Sequence, residues 1–290
     1  MGRDSTALAF WLYEQCELLD ITFRFNYAAT GVQLSSDCAI EAIQLLNVKR
    51  PGQLPQKLTC SNLVVAAGPY SSWILRDLFK QQRLALENHV QRAQWFQATT
   101  QGLTKADEVI LRVSTQPTKD GKIESDISIL AQSEEQSLSV FGMSSSIKDQ
   151  DLSHADARHD SEPRLTELRA VASAYLNNDN GLVVTEKASI IERGCADLSV
   201  ANNGNPIIDK VPASALGRAP TEEQDANPSG VWLCYGFGRH GTMLAPGTAR
   251  MLVQKMVKGS CEADCFDFSI PVYTKIKPED KGKGKTKAKA

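Results

Sequence analysis

The first stretch of the chain carries apolar residues at helical intervals. Across residues 5–19, Leu8, Trp11, Leu12, Cys16 and Leu19 recur every three or four positions, which predicts a helix. Over residues 21–32 the period shortens toward two, with Phe23 and Phe25 on one face, and predicts a strand. Residues 51–56, opening on Pro51, read as a loop. The apolar run over 58–66 then predicts a buried strand, and 73–79 a helix packed on it. Between those two lie Ala66, Ala67 and Gly68, side chains small enough for a ligand to approach the backbone closely. A tight strand–helix turn without a ligand accounts for them equally well.

From about residue 84 to 130 the pattern changes. Short apolar stretches at 90–96, 109–113 and 127–130, separated by polar turns such as Lys119-Asp120-Gly121, predict an antiparallel sheet. Residues 144–163 are polar and read as a solvated loop. They contain His154 and His159, a spacing that would suit metal ligands only on one face of a helix. A helix is predicted over 165–176, closed by Asn177-Asn178-Asp179-Asn180-Gly181, with a strand over 182–191. Residues 202–208 form a turn into another apolar segment. The run Gly230-Val231-Trp232-Leu233-Cys234-Tyr235 is a further apolar strand. It enters Gly236-Phe237-Gly238-Arg239-His240-Gly241-Thr242, and a helix over 248–257 follows. A glycine-dense turn at a helix N-terminus presents backbone N–H groups suited to anionic or electron-rich groups of a cofactor.

Composition narrows the function classes. With 290 residues, 42% apolar and 23% charged, the chain is long enough for two parts and ordinary for a globular protein. A net charge of −2 gives no electrostatic argument for nucleic acid or for a membrane surface. No apolar run reaches the roughly 18 residues of a spanning helix, and the N-terminus has no secretory pattern, so a cytoplasmic protein is expected. The seven cysteines are scattered and odd in number, which suits a reducing compartment. Cys261 and Cys265 form the one close pair, and without two further ligands at suitable spacing no metal is expected. The basic end, residues 275–290, reads as a disordered tail, and it carries no Ser-Lys-Leu peroxisomal address.

The segment around Ala66-Ala67-Gly68-Pro69-Tyr70-Ser71, taken with Gly236–Gly247, resembles the FAD-dependent oxidoreductases of the D-amino-acid oxidase, glycine oxidase and sarcosine oxidase type. The resemblance covers most of residues 4–79 and 180–258 in order and spacing. It implies a mixed α/β fold: a Rossmann-like FAD-binding domain over 1–83 and 206–258, and an inserted antiparallel substrate domain over 84–205. It also implies FAD as cofactor and a small amine or amino acid as substrate, oxidised by hydride transfer to flavin. Ala66, Ala67 and Gly68 would lie along the adenosine half of FAD, with the stretch Ala29-Thr30-Gly31-Val32 beside the adenine. Gly238, Arg239, His240, Gly241 and Thr242 would lie against the flavin ring, where a helix N-terminus or a cation stabilises the anionic reduced form.

Two departures qualify that picture. Members of the family open on a strand, a Gly-x-Gly-x-x-Gly turn and a helix that hold the FAD pyrophosphate. Here a helix is predicted from about Ser5, and no such turn follows an apolar strand in the first hundred residues. A truncated FAD-binding fold with weakened cofactor binding is therefore expected. Amino-acid oxidases of the family also place an arginine just before an Asp-Gly-x-Pro turn to fork the substrate carboxylate. The matching stretch, Cys195 to Pro206, holds none, and Arg193 comes too early, so no substrate and no catalytic residue is assigned. A second reading is a non-catalytic interaction module, for example in membrane traffic, whose exposed sheet edge and basic tail engage a protein partner.

Overall fold

A computed structural model describes residues 5–35, 39–79, 88–99, 103, 105, 109–114, 126–147, 162–176, 189–201, 205–212, 216 and 229–261. The expected basic tail, His154, His159 and Cys265 lie outside the described residues. In chain order the elements are α1 (Ser5–Leu18), β1 (Tyr27–Leu34), β2 (Ile40–Asn47), β3 (Gln56–Thr59), β4 (Asn62–Val65), α2 (Ser71–Phe79) and β5 (Asn88–Thr99). They continue with β6 (Val109–Ser114), β7 (Asp126–Gln132), β8 (Ser137–Ile147), α3 (Glu162–Leu176), β9 (Ser189–Ala201), β10 (Ile207–Lys210), β11 (Gly230–Tyr235) and α4 (Gly241–Lys258). Among the described residues three sheets result, with strand orders β1–β2–β3, β10–β11–β4 and β6–β7–β8–β5–β9, a mixed α/β architecture as expected.

The small sheet β10–β11–β4 organises everything else. Val231-Trp232-Leu233-Cys234-Tyr235 has no polar alternation because both of its faces are covered, as in parallel sheets generally. Val231, Leu233 and Tyr235 point to one side, where they bury with Val65, Leu75 of α2, Ile207 and Ile40 of β2. Trp232 points to the other side and buries with Ile208 and Leu252 of α4. β11 runs antiparallel to β10 and parallel to β4, with Leu233 opposite Val65. The pair is pinned at its start by Asn62, whose Oδ1 accepts from Gly230 N at 3.1 Å and Trp232 Nε1 at 3.0 Å. Each such bond contributes about 1 kcal/mol net.

The large sheet is wholly antiparallel. Phe96, Ala98, Ile127, Ile129, Leu138 and Val140 form its buried face, closed by Leu165, Leu168 and Ala172 of α3. Its edge strand β9 ends in Ala201, which joins the core of the small sheet and so ties the two together.

Several expectations need correction. The strand expected over 21–32 begins only at Tyr27. Asp20 and Asn26 take left-handed φ values of 57° and 64°, which break an extended run. Phe23 and Phe25 do share a face, but as stacked rings 5.8 Å apart beside Tyr13 rather than as strand neighbours. The apolar run over 58–66 is two strands in two sheets: β3 pairs antiparallel with β2 and β4 parallel with β11. β2 and β8 carry no clear apolar pattern of their own, and residues 144–147 of the expected polar loop are strand, since β8 extends to Ile147. The strand expected over 182–191 is described from Ser189 and continues to Ala201, because β5 offers it a partner along its full length. α4 starts seven residues before the expected 248, carrying Pro246 within it. Leu8, Trp11 and Leu12 of α1 remain 37%, 54% and 49% exposed, so among the described residues their stripe has no core to face.

Candidate functional site

Because β4 and β11 run parallel, the segments that follow them leave the same end of the same sheet. After β4 come Ala66 and Ala67, a 3-10 turn over Gly68–Tyr70, and then α2. After β11 come Gly236 and Phe237, a 3-10 turn over Gly238–His240, and then α4. The crevice beyond the carboxyl ends of parallel strands is where open α/β sheets commonly bind ligands. All eight residues singled out from the sequence, Ala66, Ala67, Gly68, Gly238, Arg239, His240, Gly241 and Thr242, stand in these two neighbouring corners.

Glycine is favoured by the backbone at three of the turn positions. Gly68, Gly236 and Gly238 have φ values of 55°, 90° and 52°, a region that side chains reach only at a cost. A Cβ on Gly68 would meet nothing within 4 Å, so this corner is open. A Cβ on Gly236 would sit 3.0 Å from Ala201 Cβ, and one on Gly238 would sit 3.3 Å from Val200 Cγ2. The second turn therefore lies directly against the end of β9, to which Phe237 also bridges through Val200.

The polar groups of the corners follow from their geometry. Ala67 N–H donates to Ser71 Oγ at 3.1 Å, which closes the first turn onto α2. Ser72, 2% exposed in the first turn of α2, has no hydrogen-bond partner for its Oγ among the described residues. His240 precedes α4 without capping it through its side chain, and Thr242 to Gly247 are exposed. Arg239 Nε donates to His240 Nε2 at 3.3 Å, and both side chains face solvent.

Behind the first turn lies a charge pair with no precedent in the sequence pattern. Arg92 of β5 forks onto Asp197 of β9, Nε to Oδ1 at 2.9 Å and one Nη to Oδ2 at 3.3 Å. The hydrogen bond to Asp197 is the largest cause holding the Arg92 guanidinium above its ordinary pKa, against the opposing effect of burial. Tyr70 and Cys195 lie within electrostatic reach of the same guanidinium. The partners are 105 residues apart, so no local signal announces them. Arg193, the arginine too early for a substrate role, instead pairs with Glu162 at the start of α3. Among the described residues no three metal-ligating side chains come together, and no helix is long and apolar enough to cross a membrane.

Cys234 faces α4, and burial pushes its thiol pKa up, partly offset by a hydrogen bond with Thr248. The fold thus holds the thiol proton more tightly than the unfolded chain does. The stability linked to it is intact below the ordinary thiol range and is lost as pH rises through the folded value. At pH 8, iodoacetamide is expected to modify Cys234 at least about 10-fold more slowly in the folded protein than in urea, measured by peptide mass spectrometry. Equal rates would show an accessible, reactive thiol.

Comparison with known proteins fits this geometry. The iminodiacetate oxidase from Chelativorans sp. BNC1 superposes with a TM-score of 0.53 at 17% identity, over 83% of this chain and 52% of that one. The glycine oxidase from Geobacillus kaustophilus gives 0.52 at 16% identity, over 84% and 51%. The L-amino acid deaminase from Proteus vulgaris gives 0.60 at 12% identity, over 90% and 61%. At these identities the likeness is one of fold, and the chain spans about half the length of the first two structures. No curated protein matches the sequence. Residues 2–255 match the family described as FAD dependent oxidoreductase (DAO), and the chain belongs to that family.

Proposed function

We propose that the two glycine corners form one bed for FAD and that the chain takes part in oxidising an amine or amino-acid-like substrate. The observation that carries this is the parallel pairing of β4 with β11, which sets residues 66–70 beside residues 236–242 at one sheet end. The residues present suit the cofactor. Gly68 leaves open space, Ser72 Oγ is a buried hydroxyl without a hydrogen-bond partner among the described residues, and α4 begins without a side-chain cap from His240. Ala66, Ala67 and Gly68, with Ser72, would hold the adenosine half, and Gly238 to Thr242 the flavin end. Flavin, when bound, supplies the hydride acceptor for the carbon bearing the amine. The N-terminus of α4 contributes about half a positive charge there, and Arg239 adds a full one, both favouring negative charge on a bound group. In this reading residues 1–83 and 206–258 serve the cofactor and residues 84–205 the substrate.

The chain by itself is expected to hold FAD weakly. Within residues 1–290 the pattern Gly-x-Gly-x-x-Gly occurs once, at Gly236-Phe237-Gly238-Arg239-His240-Gly241, where it is assigned to the flavin end. The pyrophosphate then loses two or three charge-assisted hydrogen bonds of about 1.5–3 kcal/mol each, which weakens binding by several orders of magnitude. The purified chain is expected to be colourless and to turn yellow only with excess FAD, followed by absorbance and flavin fluorescence. A stoichiometric yellow preparation would overturn the weakness, and no binding at saturating FAD would overturn the bed itself.

A further inference from the structure

The large sheet has two unlike faces, and only one of them meets the second glycine corner. Directly opposed residues in an antiparallel register share a face. Val200, whose Cγ2 lies 3.3 Å from where a Cβ of Gly238 would stand, therefore identifies that face. Leu198, Ala196 and Gly194 follow Val200 at alternate positions of β9, opposite Gln91, Ala93 and Trp95 of β5. Ala93 and Trp95 in turn oppose Met143 and Phe141 of β8. Leading away from the corner on this face is thus a floor of Leu198, Ala196, Trp95 and Phe141, with polar Gln91 beside Leu198 and Ala93 fully buried among them. The Trp95 indole lies across Gly194, where an added Cβ would come 2.9 Å from Trp95 Cζ2. Trp95, Phe141 and Leu198 are all only half-buried, so their apolar surface stays available to a ligand. Arg92 projects to the reverse face, the one that carries Phe96 and α3, and its fork is closed on Asp197.

We propose that Trp95 is the specificity-determining residue of this site and that the substrate is an amine bearing an aromatic or branched apolar group. This rests on the flavin-bed reading, because only then does the floor lie beside the reacting carbon. The indole face offers an apolar contact to the ring or alkyl part and attracts the protonated amine through its π electrons. Gly194 leaves the indole room to lie flat, and Leu198 sets an apolar wall between it and the corner.

The test is isothermal titration of the full chain with benzylamine and with glycine, each with and without excess FAD. Benzylamine is expected to bind roughly 10-fold or more tighter than glycine. The preference should be kept by Trp95→Phe and lost by Trp95→Ala, with unchanged circular dichroism in both. Leu198→Arg, which sets a guanidinium on the same floor, should move the preference toward glycine. Equal binding of the two probes, binding of neither, or a preference untouched by Trp95→Ala overturns the proposal. Failure of the flavin bed would show separately, as a lack of any FAD heat or absorbance change while the benzylamine preference stands.

Discussion

Asp197→Ala is expected to destabilise the protein by about 3 kcal/mol, read as a fall in the urea midpoint at unchanged slope. The Asp197 side chain is 6% exposed and that of Arg92 is 19% exposed. Removing the carboxylate leaves a largely buried guanidinium without its forked partner, which in buried pairs costs about 3–5 kcal/mol. The residual exposure of Arg92 lets water compensate in part and places the value at the low end. The double variant Arg92→Leu with Asp197→Leu should recover most of the loss, since a buried ion pair replaced by apolar groups is often neutral. A single variant as stable as the parent would show that the pair contributes nothing to holding β5 against β9. Because Tyr70 stands near Arg92, the same variant should also raise proteolytic susceptibility around residues 66–72.

Gly236→Ala should produce a loss of similar size for a different reason. At φ 90° an L-residue is strained by about 1–3 kcal/mol. Its Cβ would also press on Ala201 Cβ at 3.0 Å and on Ala201 N at 3.3 Å, backbone that the end of β9 cannot readily move. Overpacking of that kind adds about 1–3 kcal/mol, so a total near 3 kcal/mol is expected by urea denaturation. Gly247→Ala is the matched control. It lies inside α4 with nothing within 4 Å of the new Cβ, and it should stabilise the protein by about 0.5–1 kcal/mol. Were Gly236→Ala as benign as Gly247→Ala, the second corner would not be the rigid, close-packed turn described above.

The exposed apolar surface of α1 bears on how the protein is handled. Phe10, Trp11 and Leu18 of α1, with Leu19 and Phe25 in the segment after it, are each more than half exposed, an association hazard for any protein. Among the described residues β4 also pairs along one edge only, with β11. Periodicity located the helix correctly. Helical spacing reports which side chains share a face, not what that face meets.

Local chemistry in the sequence determined the parts whose causes are local. The unbroken apolar run 231–235 specified a strand, and the glycines at 68, 236 and 238 specified tight turns, since glycine takes positive φ at no steric cost. Short strands divided by polar turns specified an antiparallel sheet, though not its full membership, since β8 borrows its regularity from β5 and β7. Tertiary structure alone decided that β4 and β11 lie parallel, so that two corners 168 residues apart share one sheet end. It alone joined Arg92 to Asp197 and laid Trp95 on the face toward Gly238. Such pairings depend on register between distant strands, and a one-residue slip would turn each side chain to the opposite face.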